Sequence, residues 1–146
     1  MRTAASRPSG PSLERLFRLL ADRTRLRLLN LMDGREICVC YLVEVLRISQ
    51  PKISRHLAFL RRAGLVAARR EGKWIHYRIP EAKARTVARL LEQMKSLFAE
   101  DPEMRRDKER LGEVRCAPRK FIHLKDAPVP TRLRNHGRRA LRASAT

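Results

Sequence analysis

Cys38 and Cys40 form a C-x-C pair, and Cys116 is the third cysteine of the chain. A thiolate is a soft nucleophile and metal ligand, so two sulfurs at this spacing point to capture of a thiophilic ion. Free cysteine is also a common small core residue, and spacing alone leaves that alternative standing. The apolar run around the pair reads as a helix over Cys38 to about Leu46, with Leu42, Val45 and Leu46 turned inward. Its N-terminus and the neighbouring Arg35 would both favour the thiolate. On a regular helix, residues i and i+2 point about 200° apart, so one ion could take both sulfurs only by unwinding the first turn. Cys116 is the available third sulfur. Three thiolates without a fourth suit As(III) or Sb(III), whereas an all-sulfur zinc or cadmium site prefers four ligands. His123 could complete a Cys-rich zinc site, and Cys116 could also be a spare thiol.

Positioning these groups requires a folded frame, and the hydrophobic pattern supplies one. Residues 1–12 hold Ser, Pro and Gly with almost no large apolar side chain, and read as a disordered lead. Leu13, Leu16, Phe17 and Leu20 recur at helical spacing. Asp22 offers an N-cap to a second helix through Leu26, Leu28, Leu29, Leu31 and Met32, stopped by Gly34. After the cysteine-bearing helix, Ser49 caps a fourth helix with Pro51 in its first turn and Ile53, Leu57 and Leu60 as its buried stripe. Beyond Gly64, the segments 65–70 and 74–79 flank Glu71-Gly72-Lys73 and read as a β-hairpin, in which Ile75, Tyr77 and Ile79 alternate with His76 and Arg78. A long helix from about Ala82 to Phe98 follows, with Val87, Leu90, Leu91, Met94, Leu97 and Phe98 on one face. That stripe, together with Leu13 and Leu16, is the expected dimer interface. The charged, proline-containing stretch 99–146, which carries Cys116, reads as a largely irregular tail.

The expected fold is therefore mainly α with a small β-hairpin: a homodimeric winged helix-turn-helix spanning residues 13–98. Charge lies where such a fold would use it. Between Pro51 and Ile79, Lys52, Arg55, Arg61, Arg62, Arg69, Arg70, Lys73 and Arg78 face Glu71 alone. The stripe of the fourth helix leaves Gln50, Ser54, Arg55 and His56 to solvent, as hydrogen-bonding side chains suited to base edges in a major groove, with Lys52 beside them. Arg69, Arg70 and Lys73 on the hairpin would meet the DNA backbone or minor groove. His56 could instead be a partly buried structural histidine.

Composition narrows the function classes. The 146 residues carry a formal net charge of +19, an excess that calls for an anionic partner. No apolar run approaches the ~20 residues that span a membrane, and three cysteines are too few and odd in number for a secreted disulfide scaffold. A cytoplasmic protein with no membrane partner and no organic cofactor is expected. An enzyme is disfavoured because no phosphate-cradling glycine loop and no set of nucleophile, base and orienter is visible. A sequence-indifferent basic nucleic-acid-binding protein would also explain the charge.

The stretches LFRLLADRTRLRLLNLM (Leu16 to Met32), EICVCYLVEVL (Glu36 to Leu46), ISQPKISRHLAFLRRAGLV (Ile48 to Val66) and REGKWIHYRI (Arg70 to Ile79) together resemble the ArsR/SmtB family of winged-helix, metal-responsive repressors. The resemblance implies a two-fold dimer that occupies double-stranded operator DNA, an imperfect palindrome, and lets go on binding its ion. The C-V-C pair looks like that of the arsenic- and cadmium/lead-responsive branches, which implies As(III) or Sb(III), or alternatively Cd(II) or Pb(II), as inducer. The arsenic-type motif commonly reads C-V-C-D-L-C. Here Tyr41 stands for the acid and Val43 for the third cysteine, leaving Cys116 as the available replacement. The His and Asp ligands that other members carry on the last helix have no counterpart between Lys83 and Phe98.

Overall fold

A computed structural model of the chain describes residues 10–81 and 85–133. Helix α1 (Leu13–Leu20) opens on Ser12, whose hydroxyl accepts from the Arg15 amide. Helix α2 (Arg23–Leu31) opens on Asp22, whose carboxylate accepts from the Arg25 amide at 2.9 Å. Gly34, at φ 65°, then turns the chain into a four-residue strand, β1 (Arg35–Cys38). Helix α3 (Val39–Leu46) follows without a linker and ends at Arg47 in the left-handed region, φ 54°. Helix α4 (Gln50–Arg62) starts after Ser49 with Pro51 in its first turn, where the missing amide costs nothing. The hairpin β2 (Ala67–Glu71) and β3 (Trp74–Arg78) turns at Gly72, φ 56°. Helices α5 (Arg85–Glu100) and α6 (Pro102–Cys116), two short 3-10 turns and strand β4 (Thr131–Arg132) complete the described chain.

The strands form one antiparallel sheet in the order β2-β3-β1-β4. Ile37 pairs with Tyr77 and Cys38 with His76 across β1 and β3, and Arg69 opposes His76 from the other side. Helices α2, α3 and α4 pack on one another over Leu28, Leu29, Leu42, Val45, Ile53, Leu57 and Leu60, all buried. The order helix, turn, helix, hairpin is that of a winged helix-turn-helix, mainly α with a small sheet. No helix among the described residues is long and apolar enough to cross a membrane.

Two expectations give way. The cysteine-bearing helix does not begin at Cys38: that residue ends β1 and serves as N-cap in an extended conformation, φ −65° and ψ 142°. The expected hairpin is present, and β1 and β4 extend it to four strands. The charged stretch after Glu100 is not irregular as far as it is described, since α6 packs against α2, α3 and α5 and β4 pairs with β1. Its apolar stripe was too thin to read: only Met104, Leu111 and Val114 lie on it, and Asp107 takes the remaining inward place. Asp107 is buried by its partner, Arg27 of α2, whose Nε and Nη2 donate to its two oxygens at 2.7 and 2.8 Å. Asn30 adds a buried clasp by donating to the Met104 carbonyl at 3.0 Å, and Asp101 caps α6 while accepting from Arg23. The folded unit therefore continues well past residue 98. Residues 1–9 of the expected lead, 82–84 of the expected long helix and 134–146 of the tail lie outside the described residues.

Replacing Asp107 with Ala leaves the half-buried Arg27 with only Glu103, 3.1 Å away. Breaking a buried pair from one side typically costs about 3–5 kcal/mol, and the remaining carboxylate places the expected loss near the lower bound. Urea unfolding of Asp107→Ala against the parent chain measures it, and an unchanged midpoint would show that α6 is not clamped through this pair.

Candidate metal centre and nucleic-acid interface

The junction of β1 and α3 decides the geometry of the thiol pair. Because Cys38 is extended and Cys40 lies in the first helical turn, their side chains converge instead of diverging. Their sulfurs lie 2.7 Å apart, with the Cys40 thiol donating to Cys38. The expectation that an ion must first unwind the helix is thereby corrected, since the strand-to-helix bend already brings both sulfurs to one side. Cys38 is fully buried and Cys40 half-buried. The hydrogen bond from Cys40, with backbone amides nearby, draws the Cys38 thiol down to about 7 against the opposing effect of burial. The same interaction holds the proton on Cys40 and pushes its thiol up. Arg35, expected to favour the thiolate, is instead grouped electrostatically with Arg115 and Arg132.

Cys116 closes α6 and is exposed. Among the described residues, no three His, Cys, Asp or Glu side chains are gathered closely enough to hold an ion, so neither Cys116 nor His123 joins the pair within one chain. The donor set at the junction is thus two sulfurs, which fits a soft thiophilic ion and does not fit a hard cation that needs oxygen ligands.

Sequence reasoning missed His76. Its alternation with Ile75 and Tyr77 predicted a solvent-facing side chain, yet it is 5% exposed, directly opposite Cys38 in the ladder. Its Nε2 lies 3.5 Å from a Glu71 carboxylate oxygen. The missing signal was the pairing of β1 with β3, which no local pattern announces. Glu36 was likewise overlooked: one of its oxygens accepts from Nε and Nη2 of Arg69 at 3.0 and 2.6 Å, tying β1 across the sheet to β2.

On the basic face, Gln50, Lys52 and Arg55 are exposed on α4 and Ser54 is half-buried. His56 turns inward: its Nδ1 is buried 3.5 Å from the Asp22 carboxylate, the structural alternative raised for it. Arg70 and Lys73 are exposed on the hairpin, with Lys73 4.7 Å over the Trp74 ring. Arg69 is engaged by Glu36 and by Glu71 at 2.8 Å, so its charge is largely answered within the chain. Of the apolar residues expected at a dimer interface, Leu16 and Met94 are buried in the protomer core, Val87, Leu90 and Leu91 are half-buried, and Leu13 and Leu97 are 65% and 64% exposed. Phe17, 57% exposed, extends the accessible apolar surface of α1.

Residues 22–68, which span α2, β1, α3 and α4, match the family described as bacterial regulatory protein, arsR family. An uncharacterized HTH-type transcriptional regulator of Methanocaldococcus jannaschii is 36% identical over 80 residues, covering 54% of this chain and 90% of that protein. The chain belongs to the arsR family. That family is one of bacterial regulatory proteins. The arsenical resistance operon repressor of Escherichia coli is 55% identical to this arsR-family chain over 65 residues, 44% of this chain and 56% of that repressor. The chain thus spans only about half the length of such curated relatives. The crystal structure of the transcriptional repressor BigR from Xylella fastidiosa superposes with a TM-score of 0.52 at 34% identity, over 59% of this chain and 82% of that one.

Cys40→Ala removes the hydrogen bond that favours the Cys38 thiolate. The ordinary thiol value is 9.0, so the first thiolate of the parent should appear near pH 7, and in the variant clearly higher. Thiolate ultraviolet absorbance followed against pH checks this, and coincident titration curves would contradict it.

Proposed function

We propose that this arsR-family protein is a homodimeric transcriptional repressor whose hold on operator DNA is released by As(III) or Sb(III) captured at Cys38 and Cys40. The observation that carries the reading is the convergence of the two sulfurs at the bend between β1 and α3. Strand β1 is laddered to wing strand β3 through Ile37 and Cys38, and α3 packs on α4. A ligand that fixes how the two sulfurs sit fixes how β1 meets α3, and so biases the relative placement of wing and recognition helix. Differential affinity for two such placements is what allosteric release requires. The arsenical-resistance role of the Escherichia coli relative supports the choice of metalloid.

In this reading Gln50, Ser54 and Arg55 face base edges, and Lys52, Arg70 and Lys73 hold backbone phosphates. His56 and Arg69 act more by shaping α4 and the wing than by touching DNA. Leu13, Phe17 and Leu97 contribute to the contact between subunits, with Val87, Leu90 and Leu91 behind them. The two α4 helices of the dimer would then enter major grooves roughly 34 Å apart on an imperfect palindrome. Cys116, which does not meet the pair within one chain, is the proposed third sulfur, supplied by the second subunit or by a rearrangement of its own subunit when the ion binds.

Cys38→Ser and Cys40→Ser should each keep operator affinity within about threefold of the parent, roughly 0.7 kcal/mol, yet lose release by arsenite. Fluorescence anisotropy on labelled operator DNA measures both, and a double variant still released by arsenite would contradict the assignment. Release by cadmium but not arsenite would move the inducer to Cd(II) or Pb(II). Cys116→Ser should weaken arsenite binding, and an unchanged affinity would make the pair a two-sulfur site. Lys73→Gln should flatten the dependence of log affinity on log salt by about one unit without changing sequence preference. An unchanged slope would remove the wing tip from the DNA interface.

A further inference from the structure

The exposed face of α4 does not end with its N-terminal half. Lys52, Arg55, Phe59 and Arg62 recur at i, i+3, i+7 and i+10, so they line one side of the helix, and all four are exposed. Phe59 breaks the pattern, as an aromatic ring 42% exposed among cations. Its neighbours account for it. The guanidinium carbons of Arg25, which reaches over from α2, and of Arg62 lie over the ring, 5.3 and 5.6 Å from its centroid. Stacking of this kind engages the flat face of a guanidinium and leaves the N–H donors in its plane free to meet an anion.

Arg25 is held from a second side as well. Its Nε is buried 3.7 Å from an Asp22 carboxylate oxygen, the same oxygen that accepts from the Arg25 amide at 2.9 Å to cap α2. That oxygen also lies 3.5 Å from Nδ1 of His56, so the start of α2 is fixed against the middle of α4. Two arginines from different helices thus converge on one ring. A side chain placed in this way has less freedom to lose when it meets a ligand.

We propose that Arg25 and Arg62, stacked on Phe59, form a contact for the phosphate backbone of double-stranded DNA beside the groove that the N-terminal half of α4 enters. The inference rests on the operator-binding reading and adds to it a contact that neither the wing nor the first turns of α4 supply. Length along the helix favours the backbone over base edges. Arg62 lies two turns, roughly 10 Å, beyond Arg55, whereas the major groove is only about 8.5 Å deep. With Arg55 at the base edges, the end of α4 that carries Phe59 and Arg62 stands at the level of the phosphates. Arg62 then donates to phosphate oxygens from α4, and Arg25 does so from α2 through Nη1 and Nη2, in charge-assisted hydrogen bonds. Contacts of this class fix the register of a protein on the duplex without reading its sequence.

The test is fluorescence anisotropy of the reduced, full-length chain on labelled operator DNA and on a random duplex of equal length, each over a series of salt concentrations. Arg62→Gln and Arg25→Gln should each flatten the dependence of log affinity on log salt by about one unit, on both duplexes alike. In 0.1 M salt that is about a tenfold loss. Phe59→Leu keeps both charges and removes the platform, so it should weaken binding about threefold with the slope retained. Arg105→Gln, an exposed charge on α6, should match the parent in slope and affinity. Thermal midpoints equal to the parent show that Arg62→Gln and Phe59→Leu are folded. A parent-like slope in Arg62→Gln would overturn the contact while leaving the operator reading in place. Loss of affinity on the operator alone would also overturn it, by making these residues readers of bases. Lower affinity in Arg25→Gln with the slope retained would reduce Arg25 to a support for α4. A parent that binds neither duplex would instead remove the operator reading, and this contact with it.

Discussion

Four residues of β1 hold the architecture together. The strand is pinned on one side to β3 and on the other to β4, and it ends at Cys38, the N-cap of α3. That one bend sets the convergence of the two sulfurs, the connection of the wing to the helical core and the direction in which α3 departs toward α4. A regular helix through Cys38 would separate the sulfurs, and an isolated hairpin would leave the wing without a hydrogen-bonded route to the thiols. Glu36, two residues earlier, repeats the connection through its ion pair with Arg69 on β2. The chemistry of the pair and the position of the reading elements are therefore consequences of the same backbone geometry.

Charge is partitioned along the same lines. The chain carries far more cations than carboxylates, and many of its acids are spent inside. Asp101, Glu103 and Asp107 hold Arg23 and Arg27 and dock α6 on α2; Glu44 holds Arg110; Glu36 and Glu71 hold Arg69. Among the described residues, Lys52, Arg55, Arg61, Arg62, Arg70 and Lys73 form no ion pair, and these cluster on α4 and the hairpin. The exposed internal pairs contribute little stability individually. Their larger effect is to leave the cations of α4 and the hairpin unanswered, where a polyanion gains from them.

Much of this was legible because local rules carried it. Asp22 and Ser49 announced helix starts, Gly34, Gly64 and Gly72 announced turns, and the stripe of Ile53, Leu57 and Leu60 set the exposed face of α4. Where the reading failed, partners distant in sequence decided the outcome. Cys38 became a strand residue through pairing with His76, and His76 was buried by the same pairing. Helix α6 was hidden because an aspartate fills its apolar stripe, and that is tolerable only with Arg27, eighty residues away. His56 turned inward because Asp22 caps the neighbouring helix within its reach. The C-x-C pair itself was visible from the start, but its geometry depended on a strand that only four residues encode.

The central claim is that the thiol pair communicates with the DNA-reading elements through β1. Amide hydrogen exchange of the reduced protein, with and without arsenite, tests it most directly. The account predicts altered protection along the β1–β3 ladder around Ile37, Tyr77 and His76 and in α4, with both changes abolished in Cys38→Ser. Altered protection confined to the immediate neighbourhood of Cys38 and Cys40, with β3 and α4 unaffected, would contradict it.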